Sequence, residues 1–466
     1  MTTTSSWFSA LVGAFCLLQL SSLAAAQTPP ASATPATTTA APPPPTPANA
    51  APATRDRTFA AEDPAPGRPE EETEEPTEMK FGRGAPAAPG AASPAVPEPG
   101  PEGTRAPRRA RTMEDVAESS VGELSIRSTR WRYSLNFFGD ISLSAGSPAD
   151  VDHKLGFSLG AQDVLIRGEL NNNIVASTEL ALEPSNEGVT VDVERFNVRW
   201  QSAGWFAEAG RTHTAFGYWN NAYHHGRWLQ PTIARPRWVA FEDDGGILPV
   251  HWVGAGVGAR LPMGDTTLNL MATVGNGRGR IVDDVRNAGD YQAMKAFHAS
   301  AELVGIGRPE LRIGVAGIFD RIQGWELRAP PLANVAIDEL IGSAHVAYVN
   351  VPLLLIVETY AVAHLALGHQ WTTYGGFALV GYAFGRVTPY LEVERIGSRG
   401  GADPFLTIAD LGGTMGTASF DTIEGIGGVR LDITDWTAIK AEYRQTRARD
   451  QNTTVYEGVV NWSWGF

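Results

Sequence analysis

The sequence predicts an all-β fold, a transmembrane antiparallel β-barrel of about sixteen strands, preceded by a signal peptide and a disordered Pro/Ala-rich segment. Three observations predict it. Apolar and polar residues alternate with period two in one short segment after another beyond residue 129. No run of about 18 apolar residues follows the N-terminal one, so membrane residence would fall to strands. The C-terminal stretch, Val455 to Phe466, puts Tyr456, Trp462, Trp464 and Phe466 on one face and Glu457, Asn461 and Ser463 on the other, an edge that a soluble protein would have to cover.

The chain divides in order into 1–26, 27–128 and 129–466. Residues 1–26 contain the apolar stretch Trp7 to Leu23 and then Ala24-Ala25-Ala26-Gln27, the pattern of a cleaved export signal. The single cysteine, Cys16, lies inside it, so disulfides, zinc-thiolate sites and cysteine catalysis are excluded from the mature chain. Residues 27–128 are rich in Ala, Pro, Thr and Gly, with an acidic knot at Glu70 to Glu78 and a basic one at Arg105 to Arg111. They lack the apolar periodicity that would offset the entropy of ordering, which predicts a disordered linker, a spacer or a tether to the cell wall. A net charge of -14 argues against nucleic-acid binding.

In 129–466 the alternation places strands at about 131–143, 155–170, 173–183, 190–202, 204–211, 251–262, 266–275, 293–305, 310–319, 340–349, 353–364, 373–384, 386–396, 422–433, 436–446 and 455–466. Trp131, Tyr133, Leu135 and Phe137 against Arg132, Ser134 and Asn136 set the pattern. Short turns, among them Asn171-Asn172-Asn173, Ala203-Gly204 and Thr434-Asp435, alternate with longer loops. Two different ends follow, and an even strand count puts both chain termini at the short-turn end. A barrel of this size leaves a wet lumen, whereas one of about 8 strands is filled by side chains.

The third loop, 212–250, is too long and too aromatic to lie in water, so it is expected to fold into the lumen. Its Arg227, Arg235 and Arg237 precede Glu242, Asp243 and Asp244, and facing charges across a narrow gap would set up a transverse field at a constriction. Inward strand positions add Arg132, Arg386, Glu392, Glu394, Arg430, Lys440, Glu442 and Arg444 to the lumen wall. Gly254, Gly256 and Gly258 share a face and would leave room for the packed loop. His224-His225, with His213 and His251 at the loop ends, raises the question of a metal, but adjacent histidines on an extended segment point apart, and none is expected. No cofactor is expected either, and no nucleophile, base and orienting group stand out as a catalytic set.

The ending Trp462-Ser463-Trp464-Gly465-Phe466 resembles the C-terminal strand of bacterial outer-membrane barrels, which implies handling by the barrel-assembly machinery. Gly210-Arg211, then Phe216-Gly217-Tyr218-Trp219-Asn220 and Arg235-Pro236, resembles outer-membrane porins, most closely the phosphate-selective (O/P-type) and related families; Ala215 stands where Pro is usual. The resemblance implies a passive channel for small hydrophilic solutes or ions in the outer membrane, embedded in lipid, with both termini periplasmic and often assembled as a homotrimer. Anion selectivity in that family relies on pore lysines. This barrel segment holds only Lys154, Lys295 and Lys440 and a surplus of acids, so the phosphate preference is not carried over. A plugged barrel that anchors the Pro-rich arm is the competing expectation.

Overall fold

The computed structural model describes residues 122–126, 129–147, 155–185, 188–224, 226–241, 246–282, 294–328, 330–406, 421–449 and 452–466. The signal segment 1–26, the linker up to residue 121, His225 and the Glu242-Asp243-Asp244 cluster lie outside the described residues.

The strands are β1 (Thr129–Ser147), β2 in two pieces (Gly156–Leu159 and Gln162–Leu170), β3 (Ile174–Ser185), β4 (Gly188–Ser202), β5 (Trp205–His213), β6 (His251–Met263), β7 (Thr266–Gly275) and β8 (Ala296–Val304). They continue with β9 (Leu311–Ile322), β10 (Ile337–Asn350), β11 (Leu353–Ala366), β12 (His369–Tyr382), β13 (Val387–Arg399), β14 (Thr422–Asp432), β15 (Thr437–Ala448) and β16 (Thr453–Gly465). Each pairs antiparallel with the next and β16 pairs with β1, so the sheet closes as a 16-stranded barrel. Closure gives every strand edge a partner, which lipid requires because it offers no hydrogen bonds. Among the described residues no helix is long and apolar enough to cross a membrane.

Side chains sort by parity. On β1, Trp131, Tyr133, Leu135 and Phe137 point out and are exposed, while Ser134, Asn136, Phe138 and Asp140 point in and are buried. The same holds on β13, where Leu391 and Val393 face out and Glu392 and Glu394 face in. On β16 the aromatics Tyr456 and Trp462 face out and Asn461 and Ser463 face in. The short-turn end carries two-residue hairpins such as Ala203-Gly204, both with positive φ (47° and 84°), the backbone twist that antiparallel strands accept most easily.

Three features depart from simple alternation. The strand expected over 155–170 is broken at Gly160-Ala161, where Gly160 N donates to Asp140 O at 3.0 Å. A Cβ on Gly160 would fall 2.1 Å from the Asp140 carboxylate, so the break lets that side chain into the lumen. Gly122–Ile126, inside the span expected as linker, pairs antiparallel with Thr129 to Tyr133. Strand β16 covers only the upper part of β1, with Phe466 and Phe137 exchanging backbone bonds at 2.8 and 3.0 Å, and Gly122–Ile126 pairs the edge left below. The third departure is a bulge in β4, where Glu179 pairs Arg195 but Leu180 pairs Val193. Glu194 is the extra residue. Val193 and Phe196 stay exposed outside, while Glu194 is buried and Arg195 pairs with buried Glu179 at 3.3 Å, so two consecutive side chains face in.

The outward face should tolerate no charge at mid-strand. Val393→Arg should destabilise the barrel by about 2–4 kcal/mol in urea titrations on lipid vesicles. Val393→Leu should be close to neutral in the same measurement.

Candidate functional site

The third loop leaves the end of β5, descends inside the barrel and returns to β6. Its root is closed by Thr214 N donating to Val250 O (2.9 Å), Thr214 Oγ1 to Pro249 O (2.6 Å) and Asn220 Nδ2 to Thr214 O (2.9 Å). A one-turn helix follows, α1 (Trp219–Ala222). Its leading N–H groups need an acceptor, and Glu358 of β11 supplies it: Oε1 accepts from Tyr218 N at 2.8 Å and Trp219 N at 2.6 Å. Tyr360 OH donates to the other oxygen. Gly217 makes the approach feasible, with φ of +64° and no Cβ where one would sit 2.2 Å from Glu358 Oε2.

Below α1 the wall keeps hold of the backbone. Gly226 N donates to Asp163 Oδ2 at 2.9 Å, Ile233 N to Glu442 Oε1, and Arg237 N to Glu394 Oε2 at 2.8 Å. Wall cations take the carbonyls. Lys440 Nζ donates to Arg227 O, Gln230 O and Thr232 O (2.6, 2.7 and 2.9 Å), and Arg430 Nη1 to Trp228 O and Gln230 O (2.7 and 3.0 Å). Aromatic rings fill the space between these bonds. Trp238 stacks on Tyr360 with centroids 5.4 Å apart and donates to Arg395 O at 2.8 Å, and Trp219 meets Phe377 edge-on at 6.0 Å. Trp228, Leu229 and Pro231 border a cavity of about 140 Å³ with Val351, Pro352 and Asp435, so the loop reaches the short-turn end.

The residues expected at the site are therefore used differently. Glu394, Arg430, Lys440 and Glu442 do lie on the inner wall, but they hold the loop. Glu392 is buried beside Glu394. Arg444 pairs with Glu442 and, at 3.5 Å, with Glu457. Arg132 lies near the short-turn end, 3.6 Å from Glu169. Arg386 is not on the wall; it sits in the turn before β13 and donates to Ile433 O at 2.8 Å. Arg227 pairs with Asp140 at 3.1 Å. Arg235 is a staple inside the loop, donating to Val239 O (2.7 Å) and His224 O, with Phe241 under its guanidinium at 4.1 Å. Arg237 is held through its backbone by Glu394. Nor do Gly254, Gly256 and Gly258 make room for the loop: the nearest atoms to a Cβ there belong to Val274 and Gly275, Thr273 and Phe206. Room comes from Gly465, under Trp228 and Phe138, and from Gly375, beside Trp238.

The opposite wall is open. Between Gly217 to Ala222 of the loop and strands β4 to β10 lies a cavity of about 260 Å³. Its charges are Arg195, Arg199, Arg260, Arg312, Glu208 and Glu302, with His345 beside them; among the described residues Arg227, Arg235 and Arg237 do not line it. Arg199 bonds Glu208 at 2.7 Å, and Glu302 accepts from Arg312 and meets His345, both at 3.2 Å. Arg195, Asn197, Arg199 and Glu208 were not among the residues expected on the lumen wall, although their alternation with Phe196, Val198 and Trp200 was the signal that could have found them. What the sequence left out was which wall the loop would cover.

Where the loop joins β5 and β6, His213, His224 and His251 come together, each offering a ligand atom within 4.8 Å of the others. The sequence already placed His213 and His251 at the loop ends beside His224-His225, with no metal expected; the fold brings His213, His224 and His251 to one point.

No protein-family model and no curated protein matches the chain. Among solved structures, the anion-selective porin from Comamonas acidovorans is 10% identical with a TM-score of 0.51, the match covering 72% of this chain and 100% of that one. The outer membrane channel DcaP of Acinetobacter baumannii is 11% identical with a TM-score of 0.48, over 72% of this chain and 97% of that one. Salmonella typhi OmpF, in complex with daunomycin, is 9% identical with a TM-score of 0.49, over 74% and 100%. The chain has the 16-strand fold of the outer-membrane porins.

Lys440 is the test of how the loop is held. Lys440→Met leaves the Arg227 and Thr232 carbonyls without their donor, at about 1–3 kcal/mol each before relaxation, and Gln230 O with Arg430 alone. Amide hydrogen exchange in peptides spanning 226–233 should rise at least about tenfold, with β-strand peptides unchanged; equal protection in the variant would mean that the rings alone hold the loop.

Proposed function

We propose that the chain is a passive diffusion channel of the outer membrane for small hydrophilic solutes or ions. The observation that carries this reading is the charge-lined cavity between α1 and the β4–β10 wall, inside a barrel whose outer face is apolar. Diffusion needs only a wet path and a constriction that selects by size and field, and no catalytic set or cofactor. The constriction in this reading is Tyr218 and Asn221 against Arg199, Arg312, Glu208 and Glu302, in place of Arg227, Arg235 and Arg237.

The remaining parts of the proposal follow the same architecture. Both termini face the periplasm with the short turns, 1–26 directs export, and 27–121 forms a periplasmic arm that reaches toward the cell wall. The outward aromatics of β16 present the terminal strand to the barrel-assembly machinery. Exposed small residues on neighbouring outer faces, Ala299, Gly317, Gly342, Ala344 and Ala361, contrast with the bulky face of β1 and suit close approach of a second barrel wall, as in a homotrimer. The second reading, a barrel plugged by its third loop that serves to anchor the arm, is favoured by the depth to which the loop is buried.

Planar bilayers separate the two. Folded protein should give discrete conductance steps, and none from protein whose gel migration is heat-modifiable would leave the plugged anchor. Arg199→Ser/Arg312→Ser should move the reversal potential in a salt gradient toward cation preference, because Glu208 and Glu302 lose their partners. The shift should fade toward 1 M salt, where the Debye length is about 3 Å. Arg227→Ser/Arg235→Ser/Arg237→Ser should leave it near the parent value; a larger shift from that set would return the selectivity element to the loop arginines.

A further inference from the structure

We propose that His213, His224, His251 and Glu194 form a site for one divalent transition-metal cation of the zinc class at the root of the third loop. The site is separate from the cavity reading and does not depend on conduction.

Convergence comes first. His224 Nε2 and His251 Nε2 face each other at 3.0 Å, and Glu194 Oε2 touches His251 Nε2 and lies 3.9 Å from His224 Nε2. With metal–nitrogen bonds of about 2.0–2.1 Å, the donors of a tetrahedral zinc site stand about 3.3 Å apart. These atoms need move only by fractions of an ångström to admit an ion. His213 brings a third imidazole within 4.8 Å of the other two ligand atoms; it stacks on His224 with centroids 3.4 Å apart, so its ring turns out of the stack to share the ion.

The rings are also oriented from outside. His224 Nδ1 bonds Asn220 Oδ1 at 2.9 Å, which leaves Nε2 as the lone-pair atom facing the centre. Arg195 Nη2 donates to His213 Nδ1 at 2.9 Å and pairs with Glu179 at 3.3 Å, and His213 Nε2 lies 3.5 Å from Glu179 Oε2, so Nε2 holds the ring proton and ligation there releases it, as metal binding does. The β4 bulge is what delivers the carboxylate: without the extra residue, the position next to inward Arg195 would point to lipid. Phe241, stacked on His251 and edge-on to His224, walls the other side.

The donor chemistry narrows the ion. Glu179 and Glu194 are both buried, Arg195 pairs with Glu179 at 3.3 Å, and Glu194 meets His251 and His224. A buried carboxylate needs a cation or a full set of donors. Three imidazoles and one carboxylate, without thiolates or a carbonyl cage, suit zinc and its neighbours better than magnesium or calcium. His213 borders the 260 Å³ cavity, which gives the ion an entry path. Because the ligands come from β4, β5, β6 and the turn after α1, the ion would tie the loop root to three strands.

The full chain, folded in detergent and stripped by chelator, is titrated with Zn²⁺ by calorimetry and with Co²⁺ by visible absorption. One equivalent should bind, with the d–d band of four-coordinate Co²⁺. His224→Gln and His251→Gln should each weaken binding at least about tenfold and remove the band, Asn220→Ala should weaken it about 10–100-fold as a positioning residue, and His369→Gln should change nothing. Absence of one-equivalent binding by the wild type, or binding that survives both histidine changes, overturns the site. Should the variants fail to fold, the wild type decides alone: Zn²⁺ but not Mg²⁺ should raise its unfolding temperature, and equal melting in both overturns the proposal.

Discussion

A polypeptide drawn into a barrel leaves bulk water behind, and its backbone N–H and C=O groups must find partners on the way down. The third loop has almost no secondary structure with which to satisfy itself, apart from α1 and the short 3-10 turn Arg237–Val239. The wall supplies the partners, sorted by sign. Carboxylates of Asp163, Glu358, Glu394 and Glu442 accept from loop N–H groups, and Lys440 and Arg430 donate to loop carbonyls. Charged side chains suit this task because charge-assisted hydrogen bonds are roughly twice as strong as neutral ones. Burial of charge and burial of backbone thus solve each other's desolvation problem.

The asymmetry of the lumen follows. One wall, from β11 round to β2, is consumed by holding the loop, and Trp219, Trp228 and Trp238 are buried against it. The other keeps its charges facing a cavity. There Arg199 with Glu208 and Arg312 with Glu302 form pairs that border the cavity. A charged residue on an inward position is therefore not by itself a pore-lining residue. Its role depends on whether the loop lies over it.

The root of the loop joins the two halves. His213 and His251 stand opposite each other at the ends of β5 and β6, the last paired positions before the chain leaves the sheet. The bulge in β4 aims Glu194 at them, and the turn after α1 returns His224 to the same point. Loop placement, strand register and bulge all meet there, so a small change in any of them would alter how far the loop reaches into the barrel.

The sequence by itself determined the barrel. Period-two alternation is local, and lipid outside against water inside imposes it strand by strand, so sixteen strands and the inward or outward side of Trp131, Val393, Glu394 or Lys440 could be read without knowing what any of them touches. The length and the rings of the third loop pointed to packing against the protein and away from water. Only the tertiary structure decided what those inward residues do. Which wall the loop covers depends on long-range complementarity, such as Glu358 meeting Tyr218 N or Lys440 meeting Gln230 O, and no local period encodes it. The bulge at Glu194 breaks the alternation by one residue, which is invisible when the neighbours on both sides keep their own parity. The histidines were visible singly, but their meeting is set by where two strands end and a loop turns back. Contacts between residues far apart in the chain are made by the fold, and that is where pairing of charge, cavity and candidate ion site were settled.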